Sequence, residues 1–186
     1  MMDKETLQQI FSRTGGDKGS VHSYIEAYED IFPLYRNTAR KVLEIGLLNG
    51  ESLLMWEEYF GREKVYGIDC SETPLDGMAD LRPLIEAGHQ ISILDATNER
   101  QVSDTFGNIK FDVIIEDASH SVDQQVQIYN VFKKYLSPTG IYIIEDVQDI
   151  DATRSTFENL DSEKTIEILD RRNVKFRYDD VIILIK

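Results

Sequence analysis

From Lys41 onward the chain alternates between short apolar runs of strand length and longer stretches in which apolar residues recur every three or four positions. KVLEIG, KVYGIDC, HQISILDA, KFDVIIED and GIYIIEDV are the strand-like runs; ESLLMWEEYF, part of PLDGMADLRPLIEAG, ERQVSDTFG and SVDQQVQIYNVFKKYL are the helical ones. Strands so apolar, so regularly separated by helices, predict a parallel sheet covered on both faces. After Val147, ATRSTFENL predicts a further helix, and TIEILDRR and DDVIILIK predict two strands that close the sheet as an antiparallel hairpin. The expected fold is α/β: a doubly wound sheet of seven strands, mostly parallel, with a C-terminal antiparallel hairpin.

Upstream, TGGDKGS at 14–20 has loop composition and feeds VHSYIEAYEDIF, a predicted helix with Ser20 as its N-cap. Tyr24, Tyr28 and Phe32 recur at helical spacing and predict a packing face. The 186 residues contain no internal repeat and only four prolines. One domain over 1–186 is expected, with 1–40 as an N-terminal lid or helical segment and 41–186 as the core.

Charge narrows the partners. Acids outnumber bases 34 to 20, giving a formal charge of -14, and such a surface repels phosphate backbones and anionic membranes. A small-molecule acceptor is expected, with no nucleic acid and no membrane. A lone cysteine, Cys70, excludes an internal disulfide, and MMDKETLQQIF has no apolar core of signal type, so a cytoplasmic protein is expected.

Acids punctuate the strands. Glu44, Asp69, Asp95, Asp117 and Asp146 each fall at or just beyond the end of a predicted strand, where open parallel sheets bind ligands. The first turn, LEIGLLNGES, spaces Gly46 and Gly50 as G-x-x-x-G and has Leu48 where a pyrophosphate-binding fingerprint needs glycine. Gly46 can let backbone approach a ligand, although a tight strand-to-helix turn explains both glycines equally. Asp69, about 20 residues beyond the turn, is placed to accept from ribose hydroxyls. Asp95 is placed to accept from an adenine amine, or to cap the helix that follows.

These residues resemble a known family. Glu44, Gly46 and Gly50, then Asp69 and Asp95, resemble the class I S-adenosylmethionine-dependent methyltransferases. DKGSVHSYIEAYEDIF, LEIGLLNGESLLMWEEYF, EDASH and IIEDV resemble, more narrowly, the metal-dependent sugar O-methyltransferases of macrolide biosynthesis, with cephalosporin-pathway and viral rhamnose methyltransferase-like relatives. That family usually carries DDGSH where this chain has EDASH, so Glu116 and Ala118 depart from it. The resemblance implies a Rossmann-like sheet, S-adenosylmethionine as donor, and a homo-oligomer. It also implies cofactor contacts through Lys18, Ser20, Glu44, Gly46, Asp69, Asp95 and Asp117, with the 14–20 segment over the cofactor as a lid.

Asp117 and the pair Glu145 and Asp146 end neighbouring predicted strands, and three converging carboxylates require protons or a cation between them. No Lys or Arg is interleaved locally. Mg²⁺ or another divalent cation held by Asp117, Glu145 and Asp146 is therefore expected, the alternative being acids that only cap helices. Glu116 points to the other face. His120, three residues past Asp117, is the candidate base for a sugar hydroxyl, or else a helix-start histidine bonded to backbone. His89 has no local partner. The expected activity is a Mg²⁺-assisted, S-adenosylmethionine-dependent O-methyl transfer to a sugar or glycoside. A catechol-type or other small-molecule acceptor, or a non-catalytic nucleotide-binding scaffold, stands as the alternative.

Overall fold

Strands form where the apolar runs predict them: β1 (Val42–Ile45), β2 (Val65–Asp69), β3 (Ile91–Ile93), β4 (Phe111–Glu116) and β5 (Leu136–Ile144), then β6 (Ile166–Asp170) and β7 (Val181–Ile185). The structure, a computed structural model, describes residues 5–186. Its seven strands lie in one sheet, in the order β3-β2-β1-β4-β5-β7-β6. The first five are parallel, and β7 runs antiparallel to both β5 and β6.

The closing pair does not simply extend the edge in chain order, because β7 inserts between β5 and β6. Composition explains this. VIILI is apolar at five consecutive positions and is wholly buried, as a central strand covered on both faces must be, whereas IEILD alternates and occupies the half-exposed edge.

One face carries α1 (Leu7–Thr14), α2 (Asp17–Ser20), α3 (Tyr24–Ile31), α4 (Glu51–Phe60) and α6 (Arg82–Glu86). The other carries α7 (Glu99–Phe106), α8 (Val122–Phe132) and α9 (Ile150–Glu158). Short helical turns α5 (Pro74–Gly77) and α10 (Arg172–Lys175) complete the set. Tyr28, Phe32 and Trp56 sit fully buried on the first face, with Phe32 stacked on Tyr28 and edge-on to Trp56. Each such aromatic stabilises the fold by roughly 2 to 3 kcal/mol through burial.

Within VHSYIEAYEDIF the helix starts three residues late. The chain turns at 21–23 between α2 and α3, Ser23 stands at the start of α3, and Ser20 closes α2 rather than capping a helix. Among the described residues no helix is long and apolar enough to cross a membrane. Strand order reverses at β1, which has β2 on one side and β4 on the other, and this opens a crevice beyond the carboxyl ends of the strands.

Candidate active site

Register decides which acids meet. Glu44 of β1 pairs with Ile115 of β4, and Ile115 pairs in turn with Ile143 of β5. Two residues further along lie Asp117 and Glu145, and the period-two alternation of strands returns both to the face that Glu44 occupies. Glu116, paired with Ile45 and Ile144, points to the opposite face and is completely buried. Burial pushes its carboxyl up to about 8, against the backbone N–H groups of Ala118 and Ser119.

Into the first face comes Lys18 from α2. Its ammonium donates to Asp117 Oδ2 and Glu145 Oε2 at 2.6 Å each and stands 3.5 Å from Glu44 Oε1, with the residue only 2% exposed. This corrects the expectation that the acids have no neutraliser. None lies nearby in sequence, but Lys18 arrives from 99 positions before Asp117 and 127 before Glu145. Its Nζ is engaged with carboxylates and Lys18 does not line the crevice, although Gly16 and Asp17 beside it do.

The tyrosines of α3 have two parts. Their rings fill the core while the Tyr28 hydroxyl donates to Glu145 Oε1 and the Tyr24 hydroxyl to Asp146 Oδ1. Spacing predicts only the packing; nothing in the sequence says which carboxylates the hydroxyls reach. Asp146 itself has a left-handed backbone, φ 53°, and its N–H donates back to Tyr24 Oη at 3.1 Å. Such strain in a non-glycine residue costs about 1 to 3 kcal/mol and is held by its surroundings. Behind it, buried His22 places Nδ1 3.4 Å from Asp146 Oδ1 and 3.8 Å from Asp180 Oδ1 without completing a hydrogen bond.

His120 stands at the mouth of the site, with its side chain 38% exposed. Its Nε2 lies 3.3 Å from Asp146 Oδ2 and 3.6 Å from Asp117 Oδ1. Asp117, foremost, and then Asp146 raise its affinity for a proton against the effect of burial. Burial opposes charge on Asp117, yet Lys18 and His120 together hold that carboxyl down at about 2. Burial pushes Glu145 well up despite Lys18 and Tyr28, raises Asp146, and lifts Glu44 to about 7 against the pull of Lys18.

A cavity of about 620 Å³ opens in front of His120, lined by Gly46, Leu48, Asp69, Ser71 and Asp117 among others. A narrower one of about 180 Å³ continues past Asp69 to Asp95, Ala96, Thr97 and Ile128. Asp69 spans both; its Oδ2 accepts from the Leu47 N–H at 2.9 Å and its Oδ1 from that of Ser71 at 3.2 Å, fixing the carboxylate in the crevice. Asp95 caps a turn through Thr97, while the N-cap of α7 is Asn98. Ser20 is exposed, donates to Gly16 O, and does not line the cavity. Gly46 has φ 87°, and a Cβ there would lie 2.2 Å from the Asp117 carbonyl oxygen. Close backbone passage, as well as its place in the cavity wall, therefore requires this glycine. His89 has a partner after all, Glu57 at 2.8 Å, and neither residue lines the cavity.

The donor set fits a divalent cation. Asp117 and Asp146 each offer one oxygen, within 4.8 Å of each other, and the His120 ring stands within the same distance of both, placed to take a proton beside the ion rather than to bind it. Glu145 stands beside this group with its oxygens given to Lys18 and Tyr28. Glu44, Asp117 and Glu145 share one lysine, so the cluster is short of positive charge.

Among characterised proteins, a rhamnosyl tetracenomycin-C 2'-O-methyltransferase from Streptomyces olivaceus is 32% identical over 153 residues, covering 78% of this chain and 39% of that protein. Demethylmacrocin O-methyltransferase from Streptomyces fradiae is 30% identical over 152 residues, 77% of this chain and 37% of the relative. The chain is similar to these O-methyltransferases over about three quarters of its own length. It spans under two fifths of the length of these relatives, and no family model matches it. Its fold is shared with solved methyltransferases. The solved structure of MycE from the mycinamycin pathway, in complex with Mg, SAH and mycinamycin VI, superposes with a TM-score of 0.70 at 21% identity, covering 99% of this chain and 55% of that one. An O-methyltransferase from Bacillus cereus in complex with SAH gives 0.66 at 19% identity, covering all of this chain and 92% of that one.

Proposed function

We propose that this chain is the catalytic part of an S-adenosylmethionine-dependent O-methyltransferase that methylates a hydroxyl of a sugar or glycoside with the help of a divalent cation. The observation that carries the reading is His120, poised between Asp117 and Asp146 at the mouth of a cavity of ligand size. Bound there, S-adenosylmethionine supplies the methyl group, and a cation such as Mg²⁺ held by Asp117 and Asp146, with Glu145 adjoining, makes the acceptor hydroxyl more acidic.

This chain's residues do the rest. His120 Nε2 accepts the hydroxyl proton, and the two aspartates beside it stabilise the imidazolium that results. Asp69 meets the ribose with the lone pairs its two backbone donors leave free, and Asp95 and the apolar wall of Leu94, Ala96 and Ile128 receive the base. Gly46, Lys18 and Glu44 shape the site from behind, while Ser20 lies at the surface turn beside it.

The acceptor class is supported by the relatives, which methylate a rhamnosyl tetracenomycin and an olivosyl oleandolide. The test is methyl transfer from labelled S-adenosylmethionine to a panel of rhamnosides and other glycosides. His120→Ala is expected to lower turnover by about 10² to 10⁴ with donor binding nearly unchanged, and EDTA to abolish transfer until Mg²⁺ is restored. Wild-type turnover in the alanine variant removes His120 as the base; indifference to EDTA removes the metal.

A further inference from the structure

Lys18 already sits where a cation belongs. Its ammonium touches Asp117 and Glu145 and faces Glu44, and Asp117 offers its other oxygen to the side of His120 and Asp146. We propose that Lys18 is a built-in cation that shares the carboxylates of Asp117 and Glu145 with the divalent ion, so that α2 and the metal compete for one negative cluster. The inference rests on the metal-assisted function proposed above and assigns Lys18 a positioning role in it.

The seat of α2 is built for this. Gly15 and Gly16 turn the chain at φ 79° and 105°, and Gly19 is pressed so close to Phe11 that a Cβ would lie 2.6 Å from its ring. Lys175 fastens the other side by donating to Gly19 O. Gly16 and Asp17, on either side of the turn into α2, form part of the cavity wall. A charge exchanged at Lys18 is therefore felt where the donor and acceptor would lie. Two cations on one pair of carboxylates repel. An ammonium about 5 Å from a divalent ion weakens its binding by about tenfold even at the dielectric constant of water, and by more in a buried site.

The experiment measures Mn²⁺ affinity of the metal-free protein by electron paramagnetic resonance of the free ion, for the wild type, Lys18→Gln and Lys18→Met. Glutamine keeps a hydrogen-bond donor without the charge, so the fold survives if methionine does not. Both neutral variants are expected to bind Mn²⁺ about tenfold more tightly, and to show a lower metal-free Tm with a larger rise on adding Mg²⁺. A purely structural lysine would lower Tm without tightening Mn²⁺. An unchanged or weaker affinity in Lys18→Gln overturns the proposal, whereas a wild type that binds no Mn²⁺ overturns the metal-assisted function itself. Hydrogen exchange of the wild type needs no variant. The Val21 and His22 amides, both bonded to Asp17 O, are expected to exchange faster when Mn²⁺ is added, and unchanged or slower exchange again overturns the proposal.

Discussion

Gly46→Ala is the sharpest test of how the crevice is held open. The new methyl carbon would stand 2.2 Å from the Asp117 carbonyl oxygen and 2.6 Å from Ala118 Cα, both backbone atoms, where ordinary contact begins near 3.4 Å. Relief requires a shift of about 1 Å in the segment that carries Asp117 toward His120, and the Asp117 N–H to Ile45 O bond at 2.8 Å resists it. Alanine at φ 87° adds about 1 to 2 kcal/mol of backbone strain. The displaced backbone adds about 1 to 3 kcal/mol more, so a loss of about 4 kcal/mol is expected. Gly77→Ala is the control, since φ there is also 87° and nothing lies within 4 Å of the added carbon. It should cost about 1 to 2 kcal/mol. Urea unfolding followed by the fluorescence of the single tryptophan, Trp56, measures both. If the two variants lose stability within about 1 kcal/mol of each other, the close backbone passage is not what requires glycine.

Other consequences follow from the buried polar groups. Glu44 has its folded carboxyl raised from 4.5 to about 7, so the folded chain holds the extra proton, and stability present below pH 4.5 is lost as pH rises through 7. In metal-free buffer, Glu44→Gln should therefore gain about 3 kcal/mol relative to the wild type between pH 4.5 and 8; a difference independent of pH in denaturant titrations refutes this. Tyr28→Phe removes the hydroxyl donated to buried Glu145 and is expected to cost about 1.5 to 3 kcal/mol by thermal or urea unfolding. A neutral result means that another donor replaces it. Asp69→Ala removes a carboxylate that faces both cavities, and calorimetry should find S-adenosylhomocysteine bound at least about tenfold more weakly; unchanged affinity moves the ribose elsewhere.

The strands and the acids at their ends were legible because both are local. Five apolar runs of strand length, each closed by a carboxylate, place Glu44, Asp69, Asp95, Asp117 and Asp146 at one end of the sheet whatever the helices do between them. The partners of those acids were not legible. Lys18 lies in a four-residue turn among glycines, and no periodicity there signals that its side chain runs inward to two carboxylates more than 90 positions away. Tyr24 and Tyr28 look like packing residues because their rings are; only the docking of α3 on the sheet brings their hydroxyls to Asp146 and Glu145. Ser20 reads as a cap because the sequence does not show the turn at 21–23 that delays the start of α3.

Alternation of apolar and polar residues by itself determined the α/β class, the run of parallel strands, and the end of the sheet at which acids gather, because burial on two faces leaves few other solutions for such runs. The tertiary structure alone decided that Glu44, Asp117 and Glu145 share one face around Lys18, and that His120 stands between Asp117 and Asp146. Strand order and register are long-range quantities: they arise from how whole faces bury against each other, and the charge balance of the site is settled only when distant segments close over it.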